Sequence, residues 1–292
     1  MVRPRRPDAD HRRRAVTIAG CTVIDCHHHI GSLEAQGFTF ADVDAGKDPA
    51  TVELERRLSA MDRQGVDQAI VIPGHGYLRP NGVADTRRIN DGVAAYRDAN
   101  PHRFPAALGI VEPLHGAAGI AELSRMRDEL GLVGVSVHTR FQGVQTDSPL
   151  VLALVRAAAE LELVPFIHAV EGVPDEAIWR AQQVARAVPD TTIVVLDAFG
   201  GAEHARHAVV IARETPNLVF DTSLAHHYLF VEAMMNAVGP ERLVFGTDYY
   251  SMMGDPQPSV VLDQLAHNDV PTQHKAAILG GNLRRILRLP NP

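Results

Sequence analysis

Apolar positions along this chain follow two alternating rhythms. Short β-branched runs at Thr22–Cys26, Gln68–Ile72, Phe104–Ile110, Val133–His138, Val164–His168, Thr192–Asp197, Asn217–Asp221 and Leu243–Gly246 predict strands. Between them the spacing is helical. In Thr51–Gln64, Leu54, Leu58 and Met61 recur three to four apart, on one face. Further helices are predicted over 86–99, 117–130, 149–161, 175–187, 202–214 and 229–238, with a last pair over 257–267 and 273–287. Gly65, Gly131 and Gly239 stand where a left-handed C-terminal residue is expected. Asp85, Ser148 and Asp175 are candidate N-caps.

Strands that read as nearly continuous Val, Ile and Leu are covered on both faces, which implies a parallel sheet. Eight strand–helix units in roughly 270 residues suit a closed (β/α)8 TIM barrel of the α/β class better than an open doubly wound sheet. No break in composition marks a second domain. The reading is therefore a basic, disordered arm over 1–15 and one barrel domain over 16–292. The long segment Gly31–Ala50, after the first strand, is a candidate flap over the site.

Composition removes several classes. With 46% apolar and 22% charged residues the chain is globular, and no run reaches the roughly 18 apolar residues of a membrane span. A formal charge of −7 argues against a nucleic-acid partner. Ala15–Cys21 is at the short edge of the roughly 7–15 apolar residues of a signal peptide and merges with the first strand, which argues against export. Cys21 and Cys26, five apart, offer no disulfide framework, so a reducing, cytoplasmic location is expected.

The strongest chemical signal is Asp25-Cys26-His27-His28-His29. On a strand, alternation would put Asp25, His27 and His29 on one face and His28 on the other. Two imidazoles at i and i+2, at the C-terminal end of a barrel strand, can chelate one cation. The fifth strand ends on His168 and the eighth stops at Asp248. Three neutral nitrogens and a carboxylate around an open position suit a catalytic zinc-like ion.

On these residues the chain resembles the amidohydrolase superfamily, in its amidohydrolase-2, aminocarboxymuconate-semialdehyde decarboxylase-like branch. The similarity spans roughly 22–288 and rests on Val23–Gly31, Phe166–Ala169, Gly200-Gly201, Val244–Tyr249 and the closing 281–287. It implies a TIM barrel with His27, His29, His168 and Asp248 as metal positions, for one divalent ion, zinc in the first place with manganese or magnesium as alternatives. Binuclear relatives bridge their ions with a carboxylated lysine at a strand end. Lys47 and Lys275 stand elsewhere, so the site is expected to be mononuclear.

The pattern breaks once. The family carries His-x-Gly-Gly after its sixth strand, whereas this chain reads Asp197-Ala198-Phe199-Gly200-Gly201, with alanine in the histidine's place. Candidate substitutes are Asp197, which alternation turns away unless the backbone bulges, His138 at the end of the fourth strand, and His226 and His227 after the seventh. Other polar groups at strand ends are His75, Tyr77, Arg79, Glu112, Arg140, Gln142, Tyr249 and Tyr250. Of these, Arg79, Arg140, His75 and Tyr249 are the expected substrate contacts. Arginine at a mouth holds a carboxylate bidentately, which points to a small carboxylated substrate.

The first expectation is metal-assisted hydrolysis of a small cyclic amide or lactone, with Asp248 moving the proton and His138, His226 or Asp197 assisting. The alternative is non-oxidative decarboxylation of an unsaturated or aromatic acid. A third reading is a repurposed barrel without hydrolysis, supported by Ala198. A homodimer is compatible with all three.

Overall fold

The computed structural model describes Ile18 and residues 20–31, 48–75, 79–250 and 259–290. The basic arm, most of the candidate flap, Lys47 and Tyr77 lie outside the described residues.

The strands are β1 (Ile24–Ile30), β2 (Gln68–Pro73), β3 (Ala106–Ile110), β4 (Gly134–Val137), β5 (Val164–His168), β6 (Ile193–Leu196), β7 (Leu218–Asp221), β8 (Leu243–Val244) and β9 (Tyr249–Tyr250). The helices are α1 (Pro49–Gln64), α2 (Val83–Ala99), α3 (Ala117–Asp128), α4 (Thr139–Gln142), α5 (Pro149–Glu160), α6 (Ile178–Ala187), α7 (Ala202–Glu214), α8 (Tyr228–Val238), α9 (Val260–His267), α10 (Thr272–Ala276) and α11 (Asn282–Leu287). All strand pairs are parallel, in the order β8-β7-β6-β5-β4-β3-β2-β1-β9.

This is a single curled sheet with helices between its strands. Its ladder is not closed. The two edges, β8 and β9, are nevertheless consecutive pieces of one segment, and Phe245 O between them accepts the Cys26 N–H at 2.9 Å. The eighth strand expected from the sequence is thus split, and Gly246–Asp248 belongs to neither piece.

Alternation divides the core in two. Ile24, Ile70, Leu108, Phe166, Val194, Leu196 and Val244 pack inside the curl, over Leu283 and Leu287 of α11. Residues of the opposite parity, such as Val71, Val135, Ile167 and Phe220, pack against the helices. Each such side chain contributes about 1.5–3 kcal/mol on burial. The apolar interior fills the floor of the curl, so the polar ends of the strands gather at the other end.

Several local expectations change. β1 runs to Ile30, carrying the histidine motif inside the strand rather than beyond it. The 273–287 helix is three pieces, α10, a π turn Ala277–Gly281 and α11. There the backbone passes so close to β1 that a Cβ on Gly280 would lie 2.7 Å from Thr22 O. Gly65 is left-handed at the end of α1, and Ser148 caps α5 through the Val151 N–H, as the sequence predicts. Asp85 instead lies within the first turn of α2 and accepts the Asn81 N–H, while α6 begins after Ala177, two residues past Asp175.

Candidate metal centre

β1 and β5 bring three imidazoles to one point. His27 Nε2 and His29 Nε2 are 3.0 Å apart, and His168 Nε2 is 3.4 Å from His29 Nε2. Asp248 Oδ1 lies 3.3 Å from His27 Nε2 and 3.4 Å from His29 Nε2. All three histidines are buried.

The other ring nitrogens are committed. His27 Nδ1 donates to Asp221 Oδ2 at 2.9 Å, His168 Nδ1 to Val137 O at 3.0 Å, and His29 Nδ1 to Pro73 O at 3.4 Å. With the proton on Nδ1, each Nε2 turns a lone pair to the common point, the arrangement that metal-binding histidines adopt. Asp248 Oδ1 is buried there without a hydrogen-bond partner among the described residues. Converging lone pairs and an orphaned carboxylate oxygen need a cation between them. The donor set therefore fits one divalent ion.

The acids around His27 favour positive charge at this point. Burial opposes charge on His27, but Asp248, Asp197 and Asp221 outweigh it and push the group up to about 10. Burial, with His27 and His168 as like charges, holds His29 well below the imidazole range. Burial and then Asp197 raise Asp248 well above the carboxylate range.

Local backbone geometry sets this up. The β1–β2 register pairs Asp25 with Ala69 but His28 with Val71, so a bulge lies between them. Simple alternation therefore fails at Asp25, which does not join His27 and His29. Its carboxylate accepts the His27 and Thr247 main-chain N–H groups, the Thr247 hydroxyl and His28 Nε2, tying β1 to the segment that carries Asp248. His28 faces outward, where the fully buried Arg57 bonds His28 Nδ1, His29 O and Glu53.

Asp197 and Asp248 both adopt positive φ, 67° and 55°. At Asp197 this turn reverses the parity of β6. Its carboxylate comes within 3.9 Å of His27 Nδ1 and accepts from Ser223 Oγ at 2.9 Å, while Ala198 is turned into the outer core. Asp197 could also contribute to a cation site with His27 and Asp248.

His138 stacks on His168, with centroids 3.9 Å apart and planes 5° apart, and its Nδ1 lies 2.6 Å from Glu176 Oε1. His75 joins the same cluster, 5.2 Å from His138 and 5.4 Å from His168, and its Nε2 is hydrogen-bonded to Ser136 Oγ at 3.0 Å. Burial, then Arg79, lowers His75 to about 3.

The remaining candidates separate. Arg79 is spent on an ion pair with Glu112 at 3.1 Å. Arg140 is exposed, with its guanidinium over Phe141, and its charge is felt by His138, His168 and Asp197. Tyr249 is corrected from the mouth to the outer face, where it meets His28 and Arg57. Its neighbour Tyr250 is the one that stacks on His29, at 4.6 Å. His226 and His227 are exposed before α8, and no described contact brings His226 to the cluster.

Asp221, Arg57 and Glu176 were missed from the sequence. Asp221 carried a signal, since it ends its strand as Asp248 ends an apolar run. Glu176, in the 3-10 turn Pro174–Glu176, carried none.

The family model described as Amidohydrolase matches residues 24–289, and the chain belongs to that family. It is 23% identical to the 2-amino-3-carboxymuconate-6-semialdehyde decarboxylase of Dictyostelium discoideum, covering 92% of this chain and 86% of the relative. The fold is similar to 5-carboxyvanillate decarboxylase of Novosphingobium aromaticivorans complexed with manganese and 4-hydroxy-3-methoxy-5-nitrobenzoic acid. There the TM-score is 0.69 and the identity 17%, over 95% of this chain and 99% of that one. It is also similar to 2,6-dihydroxybenzoate decarboxylase from Rhizobium, with TM-score 0.65 and 17% identity over 92% and 99%.

These relatives are decarboxylases by name. They overturn the expectation of a hydrolase and favour the carboxy-lyase alternative. Among the described residues, no helix is long and apolar enough to cross a membrane.

Proposed function

We propose that this chain catalyses non-oxidative decarboxylation of a small unsaturated or aromatic carboxylic acid in a (β/α)8 barrel whose strand ring is completed by the 243–250 segment. The observation that carries it is the convergence of three imidazole Nε2 atoms and Asp248 Oδ1, in which His29 Nε2 lies 3.0–3.4 Å from each of the others and His27 Nε2 3.3 Å from Asp248 Oδ1, beside the exposed Arg140. His27, His29, His168 and Asp248 would hold one divalent ion. When bound, that ion supplies Lewis-acid stabilisation of negative charge on substrate oxygens. Zinc, expected from the sequence, and manganese, held by the 5-carboxyvanillate decarboxylase, both suit an N3O donor set.

The chain's own groups do the rest. Arg140 attracts and orients a substrate carboxylate, and Arg79, already neutralised by Glu112, shapes the wall instead. Tyr250 and His138 offer ring faces or edges to a planar substrate. The carbon–carboxylate bond breaks with its electron pair left on carbon. Asp248 delivers a proton to that carbon, and one proton is consumed for each CO2 released. Asp197, beside His27, completes the anionic wall that draws the cation.

The test is CO2 release from hydroxybenzoates and carboxymuconate semialdehydes by zinc- or manganese-loaded protein. Release that Asp248→Asn lowers by at least about a hundredfold, within the usual range for proton transfer, supports the reading. Release from none of these acids, or release indifferent to both chelation and Asp248→Asn, refutes it.

A further inference from the structure

Glu176 lies outside the metal donor set and is fully buried. It sits in the 3-10 turn Pro174–Glu176 after β5, and its Oε1 reaches across to the end of β4. That single oxygen is 2.6 Å from His138 Nδ1 and 2.9 Å from the main-chain N–H of Arg140. A main-chain N–H can only donate, so Oε1 accepts from Arg140, the role a carbonyl or carboxylate oxygen fills better than a hydroxyl. That arrangement favours donation from His138 Nδ1 to Oε1, which leaves the lone pair on Nε2.

The ring has little freedom to do otherwise. It lies flat on His168, and Phe141 meets it edge to face at 4.5 Å and 89°. No described group bonds its Nε2, whereas its Nδ1 is engaged by Glu176.

We propose that Glu176 is a positioning residue that fixes His138 as a hydrogen-bond acceptor for a hydroxyl or amino group on the substrate, so that the pair sets which acids the mouth takes. A carboxyl oxygen behind an imidazole, biasing its tautomer from the far side, resembles the acid–imidazole pairing that known catalytic sites use. Here it creates an acceptor beside His168, whose own Nε2 faces the candidate cation site. A ligand that offers O–H there gains a bond, and one that offers O–CH3 leaves the lone pair unmet. The inference rests on the decarboxylase reading only for the class of acid used as probe.

The experiment uses zinc-loaded protein and three pairs of ligands, the 2-, 3- and 4-hydroxybenzoates and their methyl ethers, in equilibrium binding. At least one hydroxyl compound should bind roughly fivefold to tenfold more tightly than its ether. His138→Phe and Glu176→Ala should abolish that ratio, and Glu176→Gln, whose amide oxygen still accepts, should keep it. Nitrogen-15 spectra of histidine-labelled protein should show the His138 proton on Nδ1, and Glu176→Ala should shift the tautomer balance. No discrimination in any pair, a ratio that survives in His138→Phe, or a proton on Nε2 would overturn the inference even while CO2 is released. Failure of CO2 release with the ratio and tautomer intact would instead overturn the decarboxylase reading alone.

Discussion

Asp221 Oδ2 accepts the Nδ1–H of His27 at 2.9 Å, across 194 positions of sequence, with both side chains fully buried. This bond decides which nitrogen of His27 faces the cation site. Asp221→Asn can still meet Nδ1 but loses the charge that raises ligand basicity. We expect metal affinity to fall by about tenfold to a hundredfold, measured by chelator competition. Gly246→Ala should act through the same bond, because its Cβ would stand 2.7 Å from Asp221 Oδ2 and 3.2 Å from His27 Cβ. Unchanged metal affinity in both variants would remove Asp221 from the site.

Arg57 supports the motif from behind. Its guanidinium joins Glu53, Tyr96, His28 Nδ1 and the His29 carbonyl, and none of it is exposed. Arg57→Met removes one partner of a buried pair and leaves Glu53 charged and enclosed. The expected loss is about 3–5 kcal/mol of unfolding free energy, read by denaturant titration. A loss below about 1 kcal/mol, as for an exposed pair, would show that the network is not structural.

Ala198→His tests the apparent gap in the family motif. Because Asp197 is left-handed, residue 198 is packed in the outer core rather than facing the site. A histidine there overfills the core and should cost about 1–3 kcal/mol, with no gain in turnover. Increased CO2 release would mean that the position does open to the mouth.

Glu176 should leave a pH signature on stability. Burial raises it from an ordinary 4.5 to about 8. Between those values the unfolded chain has given up the proton and the folded chain keeps it. Fewer protons are bound unfolded than folded, so stability falls as pH rises through this window. The contribution is fully present below the unfolded value and lost above about 8. Chelated wild-type protein should therefore lose stability from pH 5 to pH 8 relative to Glu176→Gln, and parallel curves would contradict the raised value.

Much of the framework was legible because it is written in local periodicity. β5 and α7 fall on the residues that their apolar spacing indicates, and Ser148 announces the start of α5 by its own side chain. The i and i+2 spacing of His27 and His29 likewise needs only a strand to bring both rings to one side. His168 and Asp248 stand out in the sequence because each ends an apolar run, where a strand of the curled sheet reaches its polar end.

What escaped depends on contacts between distant segments or on single dihedral angles. The bulge after Asp25, the left-handed turn at Asp197 and the choice of Tyr250 over Tyr249 each reverse a parity that alternation alone predicts. Glu176 is paired with His138 only because two neighbouring strands end side by side. The candidate cation ligands were therefore marked by residue type and spacing in the chain itself. Which groups stand behind those ligands, and which face each turns to the mouth, was decided by the packing of strands against one another, since hydrogen-bond partners in a buried site are selected by position in space.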